Sequence, residues 1–352
     1  MDHPGSVVIR VATFCREGLE VRVIRFSIIG VFLGFIFLAM SPFAQSQQGI
    51  FESYNPVNLT QPSPNSYLNL MVGLRKYFNS FTSWQLPANN GPQDPISRLE
   101  YPWDQTFLAI RGSTVYSGLE VNIEWSGTLS AFSNPKAQDS DWEDSNKPGQ
   151  KTTFSESEAM PRCWIMDLSC NMQVPGLTFL RGVAGYRTSQ FKFTNTDGYQ
   201  YSIFNDQTRV YESYSQPLPG ATIEFSQYYH HLYAGGILDT VLNLREMSNR
   251  LTVSPLLLRI QADAAYVWGS SHDQHLLRYV LGIISSTGVG WHVNLAAGFN
   301  TDRFRFDIEG DIRGIQTRGG IQAIQEGVNA FIDGAKAWSE QKYLGINGTM
   351  FF

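Results

Sequence analysis

Cysteine is scarce in this chain, with three in 352 residues. Cys15 lies ahead of an apolar N-terminal run, which leaves Cys163 and Cys170. Seven extended residues would hold that pair about 23 Å apart, far beyond disulfide reach, so both are expected as free thiols unless a turn intervenes. A basic excess is also missing. Lysine and arginine total 26 against 31 acids, for a net charge of -5, and they are dispersed. That distribution excludes a nucleic-acid-binding patch. Past the first forty residues no apolar stretch approaches the roughly twenty residues of a membrane-spanning helix. Histidine is limited to six residues, and no serine or cysteine has a histidine partner in a recognisable nucleophilic arrangement. His230 and His231 are adjacent, so on a strand they face opposite sides and make a poor metal pair. No metal and no cofactor is expected.

What is present begins at the N-terminus. Arg22 and Arg25 precede an apolar core from Phe26 to Met40 and a small-residue exit from Ser41 to Ser46. A basic flank, a short apolar core and small exit residues predict a secretory signal peptide over 1–46, cut near Ala44 or Ser46. The stretch before Val21 is longer than a usual basic flank, which points to a translation start near Val21. Residues 47–352 form the expected mature unit, with no internal domain boundary.

Within that unit, hydropathy alternates with period two. Phe304, Phe306, Ile308, Gly310 and Ile312 interleave with Arg305, Asp307, Glu309, Asp311 and Arg313, so one face is apolar and the other fully charged. Leu119, Val121, Ile123 and Trp125 alternate with Glu120, Asn122, Glu124 and Ser126; the run from Leu256 to Trp268 does the same around Arg259, Gln261 and Asp263. A soluble sandwich would turn the polar face to water. These runs are longer than the five or six residues of a typical soluble strand and match the roughly nine to eleven of a membrane strand with a polar lumen. Further strands are expected at Tyr67–Phe81, Ile96–Tyr116, Cys163–Met172, Thr178–Thr194, Ile223–Leu238, Val289–Phe299 and Tyr343–Phe352. The fold class is therefore all-β: an antiparallel up-and-down transmembrane β-barrel of about ten strands. Short turns at 175–176 and 300–302 contrast with long polar connections at 135–153, 195–220, 269–278 and 322–341, which predicts tall loops at one end.

Two triplets carry the chemistry. Asp139-Ser140-Asp141 and Asp273-Gln274-His275 each place two functional groups two residues apart, on one face of a strand. An aspartate orienting a histidine suits general-base activation of water, and two close aspartates cannot both ionise readily. In isolation such triplets are common in polar loops. Parity with Arg259, Gln261 and Asp263 turns Asp273 and His275 inward. Asp139 and Asp141 are out of phase with Glu120 through Thr128, so a bulge or bend near Pro135 is needed to aim them at the lumen.

The acidic segment Asp139 to Ser145, Gly185-Tyr186 with Phe191 to Thr194, Ile223 to Gly235, and Asp273-Gln274-His275 together resemble the omptin family of outer-membrane proteases. The resemblance runs over most of the mature chain. It implies a ten-stranded barrel that hydrolyses peptide bonds at its extracellular mouth, with Asp139 and Asp141 as the aspartate couple and Asp273 and His275 as the dyad. It further implies peptide or protein substrates, a contact with outer-membrane lipid or lipopolysaccharide, and, through Phe352 on the last alternating strand, handling by the barrel-assembly machinery. Departures fall in the substrate pocket. Ser271 stands where the family places an acid, another such position falls near Asn79, and Asp167 keeps a third; Ser271 and Asp167 are the expected substrate-binding positions. Gln190 replaces an arginine of the lipid-binding face. The alternative is a barrel without turnover that serves adhesion or envelope structure.

Overall fold

Alternation sets where the strands run, because neighbouring side chains leave a strand on opposite faces. The structure is a computed structural model; it describes residues 66–352 apart from 88–94, 117, 131–134, 143, 145, 147–148, 203–213, 243–254, 302 and 326. The expected signal peptide lies outside the described residues. Six shorter strands come first: β1 (Ser66–Tyr77), β2 (Phe81–Leu86), β3 (Ser97–Pro102), β4 (Thr106–Tyr116), β5 (Leu119–Ser130) and β6 (Lys136–Asp141). Seven long ones follow: β7 (Thr153–Val174), β8 (Leu177–Ser202), β9 (Tyr214–Leu242), β10 (Leu256–His275), β11 (Val280–Asn300), β12 (Phe304–Gln325) and β13 (Val328–Phe351).

Every pairing is antiparallel, and the order β1-β4-β5-β7-β8-β9-β10-β11-β12-β13 closes on β1. At the other end of the barrel, here called the mouth, β2, β3 and β6 replace β1, β4 and β5 in the wall between β13 and β7. The thirteen segments are thus ten barrel strands, three of them broken once. Closure satisfies every edge, the condition for crossing a bilayer with strands. The spans expected as single strands at Tyr67–Phe81 and Ile96–Tyr116 each contain a break. At the first, Asn79 takes φ 47° and Ser80 carbonyl accepts the Trp103 amide at 2.9 Å.

The outward positions form an apolar belt. Leu68, Leu70, Val72 and Leu74 on β1, Phe304, Phe306 and Ile308 on β12, and Leu344 and Ile346 on β13 are all exposed. Tyr186, Trp268, Trp291 and Trp125 are exposed on the same outer face, and amphipathic rings favour a membrane interface. The 29-residue β9 is far longer than the roughly ten residues needed to cross. The surplus projects beyond the belt as continuous ladder, and this corrects the expected long connections. Most of 195–220, 269–278 and 322–341 that the structure describes is strand: β8 runs to Ser202, β9 starts at Tyr214, β10 runs to His275, β12 to Gln325 and β13 starts at Val328. Polar, turn-rich composition suggested loops there; cross-strand pairing satisfies the same backbone groups without an apolar outer face.

Inside, the barrel has two storeys. At the turn end, seven arginines and seven carboxylates line a cavity of about 440 Å³. Arg75 bridges Glu124 at 2.5 Å and Glu309 at 2.8 Å, and His292 spans Asp263 and Asp311, both at 2.6 Å. Buried charges persist only when paired in this way. Gly235 leaves room for Asp263: a Cβ there would lie 2.0 Å from the Ala262 carbonyl oxygen. Above the charges lies an aromatic layer. Tyr77 packs on Phe107 at 4.5 Å and Trp103 at 4.8 Å, Trp103 on Phe191 at 4.9 Å, and Tyr101 stacks between Phe193 and Phe225 at 4.8 and 4.4 Å. All seven rings are fully buried, and the layer forms the floor of the mouth.

Candidate active site

The side chains of the two triplets reach one cavity because of a register change. On β5 the inward positions are even, since Glu120, Asn122 and Glu124 line the lumen. On β6 they are odd, since Ala137 and Asp139 stand opposite Ser157 and Ser155 of β7, a strand whose odd positions Asp167, Ser169 and Asn171 line the lumen. Gly127 stands opposite Trp164 and Lys136 opposite Glu158, so one side advances nine residues while its neighbour advances six. An odd surplus of three exchanges the two faces of the strand. The bend expected near Pro135 is therefore present, and it turns Asp139 inward. On β10 nothing interrupts pairing with β9 or β11, and inward parity runs from Arg259 and Gln261 to buried Ser271 and Asp273 and on to His275. β6 and β10 lie four places apart around the ten-membered ring in one direction and six in the other, so their tips face each other across the mouth.

His275 Nε2 lies 3.0 Å from Asp273 Oδ2. If Nε2 carries the proton, Asp273 accepts it and Nδ1 keeps a lone pair for a reactant. Burial opposes protonation of His275, but the hydrogen bond and charge of Asp273, with Asp139 behind them, outweigh it and raise the imidazole pKa above the ordinary histidine value. Asp139 faces this dyad. Burial, then the Asp141 carboxylate, push its pKa up to about 7. Asp141 is also raised by burial, against a hydrogen bond from Ser97 and the charges of Arg278 and His275. One proton held by the aspartate couple and one exchangeable position on the histidine are what a water-activating site requires. Asp139 Oδ1 and Asp273 Oδ1 are buried without a hydrogen-bond partner among the described residues. Such oxygens call for a donor.

Asp139 and His275 border a cavity of about 80 Å³ whose other walls include Leu99, Ser155, Asn195, Thr222, Ile223 and the turn after β10. That volume holds a water and a small side chain. The structure does not bring Asp167 there. It sits in the lower storey, where Arg187 Nε donates to it at 2.6 Å and Tyr233 hydroxyl at 2.6 Å. On β8 its partner Arg187 is eight residues from Asn195 at the mouth, about 26 Å along the strand. Ser271 is buried two residues below Asp273 on the inner face, beside the mouth but outside the walls of its cavity. Asn79 is exposed in the break between β1 and β2. Gln190 is on the outer face, where it accepts the Trp164 indole proton and donates to Tyr228 hydroxyl at 2.6 Å.

Two contributors escaped the sequence reading. Ser97 touches Asp141 from β3, 44 residues upstream, and no local pattern announces it. Arg278, three residues after His275, lies on the cavity wall; an arginine so close to an Asp-x-His triplet was a visible signal.

The model of the Omptin family matches residues 89–281, more than half of the chain. Among solved structures, the outer membrane protease OmpT from Escherichia coli aligns with a TM-score of 0.68 at 16% identity, over 81% of this chain and 97% of that one. The translocator domain of the autotransporter NalP from Neisseria meningitidis reaches a TM-score of 0.34 at 6% identity, over 93% and 97% of the two chains. No curated protein sequence gives a significant match.

Proposed function

The chain belongs to the omptin family, and from that premise we propose that it is an outer-membrane endopeptidase whose mouth hydrolyses peptide bonds with a water activated by His275. The observation that carries this reading is the meeting of Asp139 and His275 on one cavity, from strands on opposite sides of the barrel. Water enters between them. His275 Nδ1 removes a proton as the water oxygen attacks the peptide carbonyl, while Asp273 holds the ring and steadies the imidazolium. The proton kept by the aspartate couple donates a hydrogen bond to the developing oxyanion and stays with the couple, and His275 then passes the proton it took from water to the departing amine as the C–N bond breaks. No acyl-enzyme forms.

The mouth faces outward from the cell in this proposal, the signal peptide having been removed and the strands inserted with Phe352 read by the assembly machinery. Lipid contact is through the apolar belt. Lipopolysaccharide would meet the neutral Trp164-Gln190-Tyr228 chain rather than an arginine at that place.

The test compares cleavage of a peptide library by the refolded protein and by its His275→Ala and Asp139→Ala variants. Cleavage is expected from the native chain, with a loss of at least about a hundredfold in each variant. Equal cleavage by all three, or none by any, sinks the proposal.

A further inference from the structure

We propose that Arg278 is a specificity determinant, which makes the mouth prefer peptides carrying an aspartate or glutamate beside the scissile bond. The inference rests on the peptidase reading and names its substrate class.

Three observations carry it. The first is position. Leu276 N–H donates to Thr222 carbonyl at 2.9 Å, Arg278 N–H to His275 carbonyl at 3.3 Å, and Tyr279 turns the chain with φ 53°. This short turn ties Arg278 to the backbone of the histidine itself and sets it on the wall of the cavity that Asp139 and His275 share.

The second is the state of its charge. Arg278 has no ion pair within 4 Å among the described residues, although its field reaches Asp139, Asp141 and His275. Three other cations of the mouth are engaged. Lys136 pairs with Glu156, Arg98 bonds to Gln85 between Trp142 and Trp338, and Lys151 lies over Trp142 and Phe154.

The third is what the cavity lacks. Apart from Asp139, His275 and Arg278, its polar walls are Gln138, Ser155, Ser157, Asn195, Gln200 and Thr222, all neutral. A basic substrate side chain would meet a like charge and find only a working carboxylate as partner. An acidic one meets a guanidinium, whose planar fork can bind both carboxylate oxygens. Discrimination of this kind arises as much from the repelled ligand as from the attracted one.

A competing role is that Arg278 only tempers the charge of the aspartate couple, which would change the rate for every substrate alike. Matched fluorogenic peptides distinguish the two, with Glu, Gln or Lys at each of the two positions on either side of the scissile bond. The native protein is expected to cleave the Glu peptide over the Lys peptide by about tenfold or more at one position. Arg278→Gln should bring the Glu-to-Gln ratio close to one, Arg278→Lys should retain part of the preference, and Arg278→Glu should invert it. A native preference for Lys, or variants that slow all three peptides by one common factor, overturns the proposal. Binding of the same peptides to His275→Ala, followed by fluorescence anisotropy, separates this from failure of the peptidase reading. If nothing is cleaved but Glu binds more tightly than Lys in an Arg278-dependent way, the acidic preference stands; equal affinities overturn it.

Discussion

At the scale of single residues, the proposed chemistry depends on two protons with opposite demands. His275 must be neutral to accept a proton, so the rate rises as pH climbs through a pKa that lies above the ordinary histidine value. Asp139 must keep its proton to donate a hydrogen bond, so the rate falls as pH passes about 7. The two limbs overlap, and the expected pH profile of kcat/KM is a narrow bell near neutrality whose apparent constants belong to the coupled cluster. Asp139→Asn keeps a donor that does not titrate. It should lower the maximum by about tenfold to a hundredfold and remove the alkaline fall, whereas an alkaline limb unchanged in that variant would assign it to another group. The dyad was legible in the sequence because two residues on one strand face keep their relation wherever the strand goes. The Ser97 contact was not, because it depends on β3 pairing with β6.

Elements decide which face those residues occupy. The wall between β5 and β6 gains three residues over β7, and this odd number alone puts Asp139 inside. Removing one residue between Ser130 and Lys136, such as Ser133, leaves an even surplus and turns Asp139 and Asp141 outward. Activity should be lost in that variant while the barrel remains folded, as judged by heat-modifiable migration and circular dichroism. Removing two residues restores odd parity and should recover part of the activity; equal activity in both deletions would refute the parity argument. The alternation of β5 and β10 and the interruption at Pro135 made this need for a bend readable in advance. The reach of β8, β9, β12 and β13 past the membrane belt was not, because ladder bonds form between strands and leave no mark on the polarity of either one.

For the whole molecule, the two storeys separate the mouth from the lumen. Tyr77, Tyr101, Trp103, Phe107, Phe191, Phe193 and Phe225 are fully buried between the site and the charged cavity below. A ten-stranded barrel is narrow enough for side chains to fill it, and the protein is expected to show no steady conductance in planar bilayers. Resolved, long-lived current steps would contradict a closed floor. Replacing Trp103 and Phe107 together by alanine should raise leakage or cost about 3 kcal/mol or more of stability each, measured by urea unfolding. The sequence by itself determined the class of fold and the approximate strand number and offered the four residues of the proposed centre as candidates, because period-two alternation and the spacing of the triplets are local properties that any strand preserves. Only the tertiary structure decided that Asp139 and His275 share a cavity, that Asp167 is held by Arg187 in the lumen far from it, and that Arg278 stands at its wall without an ion pair among the described residues. Those relations exist only once the barrel has closed and chain segments more than a hundred residues apart have come to face each other across its mouth.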